Sequence, residues 1–234
     1  MGRLLLVGNS RWHWAERQAE GLRAWHESGP PIGGGLAADP WADLEAWACV
    51  GTLPAELALP AAKRVDLEQV PLRDVPPWLG IDRALAGWRA WQRQGSAVLV
   101  ADAGTCLSLT WVDGEGCFRG GRLSAGLGLQ LRSLGQATAQ LPQLEGPRPR
   151  DPHGVEMAAD LWPTATAAAM ELGCLKACAA AVLQGWQDLE AAGQPCRLWL
   201  TGGDGERLSA ALRTFGLAPE LAPDLVLEGL ASLS

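Results

Sequence analysis

Four short segments of the chain carry residue types able to bind or move an anion. Gly8-Asn9-Ser10-Arg11 follows the apolar run Leu4–Val7, and Gly104-Thr105 follows Val98–Ala101. A glycine turn with Asn, Ser or Thr behind it opens backbone N–H groups onto a concave nest beside an amide or hydroxyl. Such nests hold anions without a lysine. Two of them facing one another suit a polyphosphate, although two ordinary hairpins have the same pattern. Asp102 ends the second run, where a carboxylate needs solvent, a cation or a turn N–H to cap. In Gly80-Ile81-Asp82-Arg83 the chain enters a helix, with Asp82 in the first turn and Arg83 suited to a bidentate grip on carboxylate or phosphate. Read alone, that tetrapeptide is more simply a capping Asp and a solvated Arg. Thr201-Gly202-Gly203-Asp204-Gly205 is a further glycine loop between a strand and a helix, a weak nucleotide signal by itself.

Other chemistries are thinly provided for. His13, His26 and His153 stand apart from Cys and carboxylates at metal-ligand spacings, so structural roles are expected for them. Cys174 and Cys178 share a helix face but lack a nearby His, and G-x-S-x-G does not occur. The only lysines, Lys63 and Lys176, lie outside any G-x-x-x-x-G-K-[ST] loop. A formal charge of −7 with no basic run argues against a nucleic-acid partner. Six cysteines are too few for a disulfide scaffold and read as buried thiols of a reducing cytoplasm. The apolar N-terminal run is too short for a secretion signal. Ala165–Leu183, broken by Glu171 and Lys176, reads as a buried helix and not a membrane span. Twelve Trp with no Tyr suggest core and surface filling.

The elements that must position these residues follow from patterning. Arg3–Val7 and Arg11–Ala15 read as strands around a tight turn, and Ala97–Ala101 and Cys106–Val112 repeat the device. Glu27–Gly35 is a Pro/Gly loop. Asp39-Pro40 introduces an expected helix over Trp41–Trp47, with a strand at Ala48–Val50. Ile81–Gln94 has helical spacing with Leu85, Trp88 and Trp91 on one face. Asp113-Gly114 turns into a short strand at Cys117–Arg119, and Gly120-Gly121 opens a loop before a helix over Leu127–Leu141. Residues 142–154 form a Pro-rich charged loop. Helices are expected at Thr164–Ala192, Glu206–Phe215 and Asp224–Leu233, with a strand at Arg197–Leu200. With 48% apolar and 19% charged residues, 234 residues suffice for two related α/β halves with a cleft between them.

In order and spacing these segments resemble the type III pantothenate kinase family, over nearly the whole chain. Leu6–Ser10 with Arg11-Trp12-His13-Trp14-Ala15 is similar to the family's first phosphate motif, and Gly80–Arg83 to its G-x-D-R. Ala101–Cys106 is similar to its D-x-G-T, and Gly120–Gly126 to its G-G-x-I-x-P-G, with Ala125 where Pro is usual. Thr166 before Ala169-Met170 and Gly173, and Leu225–Leu230 near the C-terminus, complete the series. Leu6 stands where the family's first motif normally has an acidic residue, and the region before residue 80 is abbreviated.

The resemblance implies two ribonuclease-H-like (actin-like ATPase) halves, residues 1–94 and 95–234, with mixed sheets flanked by helices and ATP between them. It implies a homodimer and ATP-dependent phosphorylation of pantothenate to 4'-phosphopantothenate, the first step of coenzyme A biosynthesis. Asp82 would be the general base, and Gly80, Ile81, Asp82, Arg83 and Thr166 would bind pantothenate. Gly8, Asn9, Ser10, Arg11 and Thr105 would bind ATP, and Asp102 a monovalent cation, K⁺ or NH₄⁺. Mg²⁺ would arrive with ATP. Leu6 removes one carboxylate from the phosphate end, which keeps two alternatives in view: a catalytically silent ATP-binding regulator, or a kinase with another small acceptor.

Overall fold

A computed structural model of the chain describes residues 2–29, 41–53, 57–144 and 161–234. It packs as two compact units, residues 1–93 with 224–234, and residues 94–223. Both are α/β with a mixed sheet flanked by helices, the class expected from the sequence.

In the first unit the strands are β1 (Arg3–Val7), β2 (Trp12–Gln18), β3 (Gly21–Glu27) and β4 (Leu44–Cys49). They lie in the order β3-β2-β1-β4, with β1 and β2 antiparallel, β2 and β3 antiparallel, and β4 parallel to β1. β1 is central and buried on both faces, which is why it reads as an unbroken L-L-L-V run. Leu5, Val7, Trp12, Trp14, Leu44 and Trp47 form one core cluster. Trp14 stacks on Trp25 and Trp41 at 6.1 and 6.2 Å between ring centroids, so several of the tryptophans are packing residues. Helix α1 (Ile81–Gln94) buries Ile81, Ala84, Leu85 and Trp88. The last helix of the chain, Leu225–Ala231, packs on β1, β2 and β4 and belongs to this unit. Its Gly229 permits close approach to α1, since a Cβ there would lie 2.8 Å from the Leu85 carbonyl oxygen. Glu228 draws in Arg93 at 2.9 Å and Arg89 at 3.4 Å.

The second unit has β5 (Val98–Ala103), β6 (Cys106–Val112), β7 (Phe118–Ala125), β8 (Arg197–Thr201) and β9 (Glu220–Leu221) in the order β7-β6-β5-β8-β9. β5, β6 and β7 are an antiparallel meander, and β8 is parallel to β5. Four of its strands therefore repeat the order and directions of the first sheet. Helices α2 (Leu127–Ala137), α3 (Thr166–Ala191) and α4 (Gly205–Arg213) cover it; the terminal Leu225–Ala231 helix is α5. α3 is long and apolar enough to cross a membrane by length and composition, and Met170, Cys174, Leu175, Cys178, Ala179 and Val182 on it join the core of this unit.

Several expectations need correction. Leu44–Cys49 is a strand where a helix over Trp41–Trp47 was expected. Leu and Ala favour helix locally, but pairing with β1 and burial of Leu44, Ala46, Trp47 and Ala48 win. β3 had no counterpart in the sequence reading. β7 runs through Gly120-Gly121, expected as loop, with Gly120 at φ +135°. Residues 224–234, assigned by sequence to the C-terminal half, sit with the first unit because α5 packs on its sheet. Asp39-Pro40, His153 and most of the loops 27–35 and 142–154 lie outside the described residues.

Candidate active site

The first glycine turn is a two-residue hairpin tip. Gly8 N–H donates to the Arg11 carbonyl at 3.0 Å, leaving Asn9 and Ser10 exposed. A Cβ on residue 8 would lie 2.7 Å from that carbonyl and 3.5 Å from Cδ2 and Nε2 of His13, so the turn needs glycine there. Val50 N–H donates to the Val7 carbonyl at 2.9 Å, extending the sheet past the turn.

Gly80-Ile81-Asp82-Arg83 starts α1 as expected, and the Ala84 N–H donates to the Gly80 carbonyl at 3.1 Å. Asp82 Oδ1 accepts the Arg83 N–H at 2.8 Å, and it lies 2.6 Å from where a Cβ on residue 80 would stand. Glycine at 80 is thus what lets the carboxylate fold back over the helix start. Burial pushes the Asp82 carboxyl above its ordinary range, opposed by the Arg83 N–H and guanidinium. Burial also lowers the Arg83 pKa, with Asp82 acting the other way. A carboxylate starved of water and poised above its usual pKa is a better proton acceptor than a solvated one.

In the second unit Asp102 is half-buried near the end of β5, opposite Ser108 on β6 and Thr201 on β8. Gly104 N–H donates to the Cys106 carbonyl at 3.2 Å, so this turn is one residue tighter than the first. Two other glycines clasp it. Gly126 N–H donates to the Thr105 carbonyl at 3.0 Å, and a Cβ on residue 126 would collide with the Gly104 carbonyl. Gly202, at φ +90°, has space only for hydrogen beside Asp102 Oδ1 and lies within 2.7 Å of the Ala103 backbone, measured from a Cβ position. The Asp204 N–H donates to the Ala103 carbonyl at 3.0 Å and completes the clasp. The T-G-G-D-G loop thus frames Asp102. Thr166 is exposed at the first position of α3.

Of the residues singled out by sequence, Gly8, Asn9, Ser10, Arg11, Gly80, Ile81, Asp82 and Arg83 lie in the first unit, and Asp102, Thr105 and Thr166 in the second. Sequence reasoning missed the role of Gly126 and gave Gly202 only weak weight; their signal is close backbone approach, visible only in the fold. Among the described residues, no group of three or more His, Cys, Asp or Glu is placed to hold a metal ion. Cys174 and Cys178 are buried, Cys106 is exposed, and burial raises the Cys178 thiol to about 11, which leaves it a poor nucleophile.

The first unit thus carries a glycine turn and a half-buried carboxylate at a helix start, and the second a glycine turn on a sheet of the same topology with a half-buried carboxylate just before it. The model of the type III pantothenate kinase family matches residues 53–188. A type III pantothenate kinase from Thermosynechococcus vestitus is 39% identical over 214 residues, 90% of this chain and 80% of that one. One from Synechococcus elongatus is 33% identical over 252 residues, covering 100% of this chain and 97% of its own. A distant likeness in fold is to the activator of the 2-hydroxyisocaproyl-CoA dehydratase from Clostridium difficile with bound ADPNP, at TM-score 0.48 and 10% identity, covering 99% of this chain and 92% of that one. The chain belongs to the type III pantothenate kinase family and is a kinase.

Proposed function

We propose that the chain transfers the γ-phosphoryl group of ATP to the primary hydroxyl of pantothenate, with Asp82 as general base. Family membership supports the reaction. The single observation behind the base is the Asp82 carboxylate, folded over the start of α1 by Gly80 and lifted in pKa by burial. In the step, the pantothenate hydroxyl oxygen attacks the γ-phosphorus and its proton passes to Asp82. The bond from phosphorus to the β,γ-bridging oxygen breaks, and ADP departs. Gly80, Ile81, Arg83 and Thr166 hold pantothenate, with Arg83 on its carboxylate. Gly8, Asn9, Ser10, Arg11 and Thr105 hold the phosphates through backbone N–H groups and side-chain donors.

Mg²⁺ would come in on ATP and neutralise charge on the phosphates, which suits a chain with Leu6 near the end of β1. Asp102 fits a monovalent cation: its Oδ1 sits in a cradle that a Cβ on residue 202 would fill, and oxygen donors suit K⁺ or NH₄⁺. The active form in this reading is a homodimer in the cytoplasm, where six free thiols stay reduced.

The test is ATP-dependent phosphorylation of pantothenate by the purified protein with Mg²⁺ and K⁺, beside Asp82→Asn, with mass determined by sedimentation. Turnover should fall by about 10²–10⁴-fold in the variant while an ATP analogue still binds. Near-wild-type turnover in the variant overturns the base; nucleotide binding without transfer to pantothenate in either protein overturns the acceptor.

A further inference from the structure

We infer that the first unit carries a second binding site, for a small zwitterion of the amino-acid class, at the end of its sheet away from the glycine turn. A cavity of about 540 Å³ opens there, within the range of small-molecule sites. Arg17, Gly21 and Leu22 line it from the closed end of the β2–β3 hairpin, Arg89 from α1, Glu228 from α5, and Asp224 from the residue before α5. All six belong to the first unit. β2 leaves the glycine turn at Trp12, and at about 3.3 Å per residue Arg17 stands roughly 17 Å further along the strand. Arg89 lies about 10 Å along α1 from Asp82, at about 1.5 Å per residue. The cavity is therefore separate from both groups assigned to phosphoryl transfer in this unit.

The charges of the lining select the ligand. Arg17 and Arg89 set two guanidinium groups against the carboxylates of Asp224 and Glu228, so the formal charges cancel. Partners fix three of the four side chains. Arg17 Nε donates to both Glu45 oxygens at 3.1 and 3.0 Å, and its Nη2 donates to the Ala231 carbonyl and to Ser234 Oγ. Arg89 donates through Nε to Glu228 Oε2 at 3.4 Å and through Nη1 to Gln92 Oε1 at 2.6 Å. Arg93 Nη1 reaches the same Glu228 oxygen at 2.9 Å. Among the described residues these bonds leave Arg17 Nη1, Arg89 Nη2 and Glu228 Oε1 without a partner. Donors of positive charge and an acceptor of negative charge thus stand ready in one partly desolvated cavity. An anion alone is opposed by Asp224 and Glu228, and a cation alone by Arg17 and Arg89. A molecule with both a carboxylate and an ammonium group meets each with its complement. Leu22 supplies an apolar wall. A ligand spanning these groups ties β2, α1 and α5 together, elements that Gly229 already brings close at Leu85.

The experiment screens the common amino acids, each at about 10 mM, against thermal melting of the full chain, and titrates by calorimetry any that raise the melting temperature. At least one should bind. Its N-acetyl and amide derivatives, each lacking one of the two charges, should bind at least about tenfold more weakly. Glu228→Gln removes a carboxylate at constant shape, and Leu22→Trp fills the cavity from the half-buried edge strand without touching an ion pair. Both should weaken binding about tenfold or more, and Leu22→Trp decides alone where Glu228→Gln does not fold. Pantothenate should not displace the amino acid. A screen in which no amino acid shifts melting overturns the inference. Equal binding by either derivative would make the cavity a site for one charge and overturn it as well. Undiminished binding in Leu22→Trp would place the ligand elsewhere, and displacement by pantothenate would place it at the acceptor site. Either result removes the inference while leaving the phosphoryl-transfer reading untouched.

Discussion

The two sheets share strand order and direction, and their glycine turns can be compared residue by residue. Leu6 and Asp102 each lie two positions before the turn glycine on the central strand. Across the ladder they face His13 and Ser108, and beyond those His26 and Leu123; on the parallel side they face Ala48 and Thr201. In the second unit a carboxylate on the central strand is flanked by two hydroxyls, a set of oxygens suited to a cation. In the first unit the central strand is aliphatic at that position, flanked by His13 on one side and Ala48 on the other. One topology thus places a carboxylate between hydroxyls in one unit and an imidazole beside an aliphatic strand in the other, from equivalent positions, which is how chemistry varies on a retained scaffold.

The turns also differ in how they are held. Gly104-Thr105 is met by Gly126, where a Cβ would collide with the Gly104 carbonyl, and Gly202 packs on Asp102 and Ala103 just before it; Gly8–Arg11 is met more loosely, by Gly51, where a Cβ would lie 3.0 Å from Asn9 Oδ1. The largest stability effect should follow from Gly202→Ala. It places a Cβ against Asp102 and 2.7 Å from the Ala103 backbone at a residue with φ +90°. A loss of about 3 kcal/mol or more is expected in chemical denaturation, together with loss of activity. Gly8→Ala sets a Cβ 2.7 Å from the Arg11 carbonyl but at a residue whose φ lies outside the left-handed region, and should cost less, about 1–2 kcal/mol. Equal costs would erase the distinction between the tightly and the loosely held turn.

Asp102→Asn sharpens the electrostatic half of the comparison. It keeps shape and removes charge beside Gly202. Rates in K⁺ and Na⁺, which should differ in the wild type, should converge in the variant, with turnover in K⁺ lowered about tenfold. Wild-type rates that are equal in the two salts would mean that Asp102 serves only the turn.

Much of this was legible in the sequence where local chemistry and fold agree. Val98–Ala101 with D-A-G-T, and Leu4–Val7 with G-N-S, read correctly as strands ending in glycine turns, because buried central strands are continuous apolar runs. Ile81–Gln94 was legible because its apolar spacing and glycine start point the same way. Leu44–Cys49 was not, since its residues suit a helix and only β1 makes them a strand. Gly21–Glu27 has the mixed burial of a sheet edge and little alternation to read. The clasp by Gly126 and Gly202 depends on residues far apart in sequence meeting on neighbouring strands and turns, which spacing along the chain does not encode.

Asp82 offers a smaller effect of opposite sign. Its folded-state pKa is raised by burial, so its protonated form is the one the fold favours. The stability it contributes is present below the ordinary carboxylate value of 3.8 and is lost as pH rises through the raised folded value. At pH 7 the ionised carboxylate is therefore a cost, and the variant Asp82→Asn should melt at or above the wild-type temperature, with the gap closing as pH falls toward the unfolded value. The acid limb of kcat/KM for the wild type should lie above the ordinary carboxylate range for the same reason. A variant that melts lower at pH 7 would make Asp82 a structural cap of α1, since a capping carboxylate stabilises its helix when ionised.

The smallest effect belongs to Gly203→Ala, one residue beyond Gly202. A Cβ there has nothing within 4 Å, and its φ lies outside the left-handed region. The substitution should change stability by less than about 0.5 kcal/mol and leave K⁺ dependence as it was. Since both glycines belong to one T-G-G-D-G loop, the contrast tests whether the loop matters as a whole or through the single residue that touches Asp102. A large loss at 203 would place the constraint in the loop's path, so that the clasp on the second turn would be a property of the loop and not of one close contact.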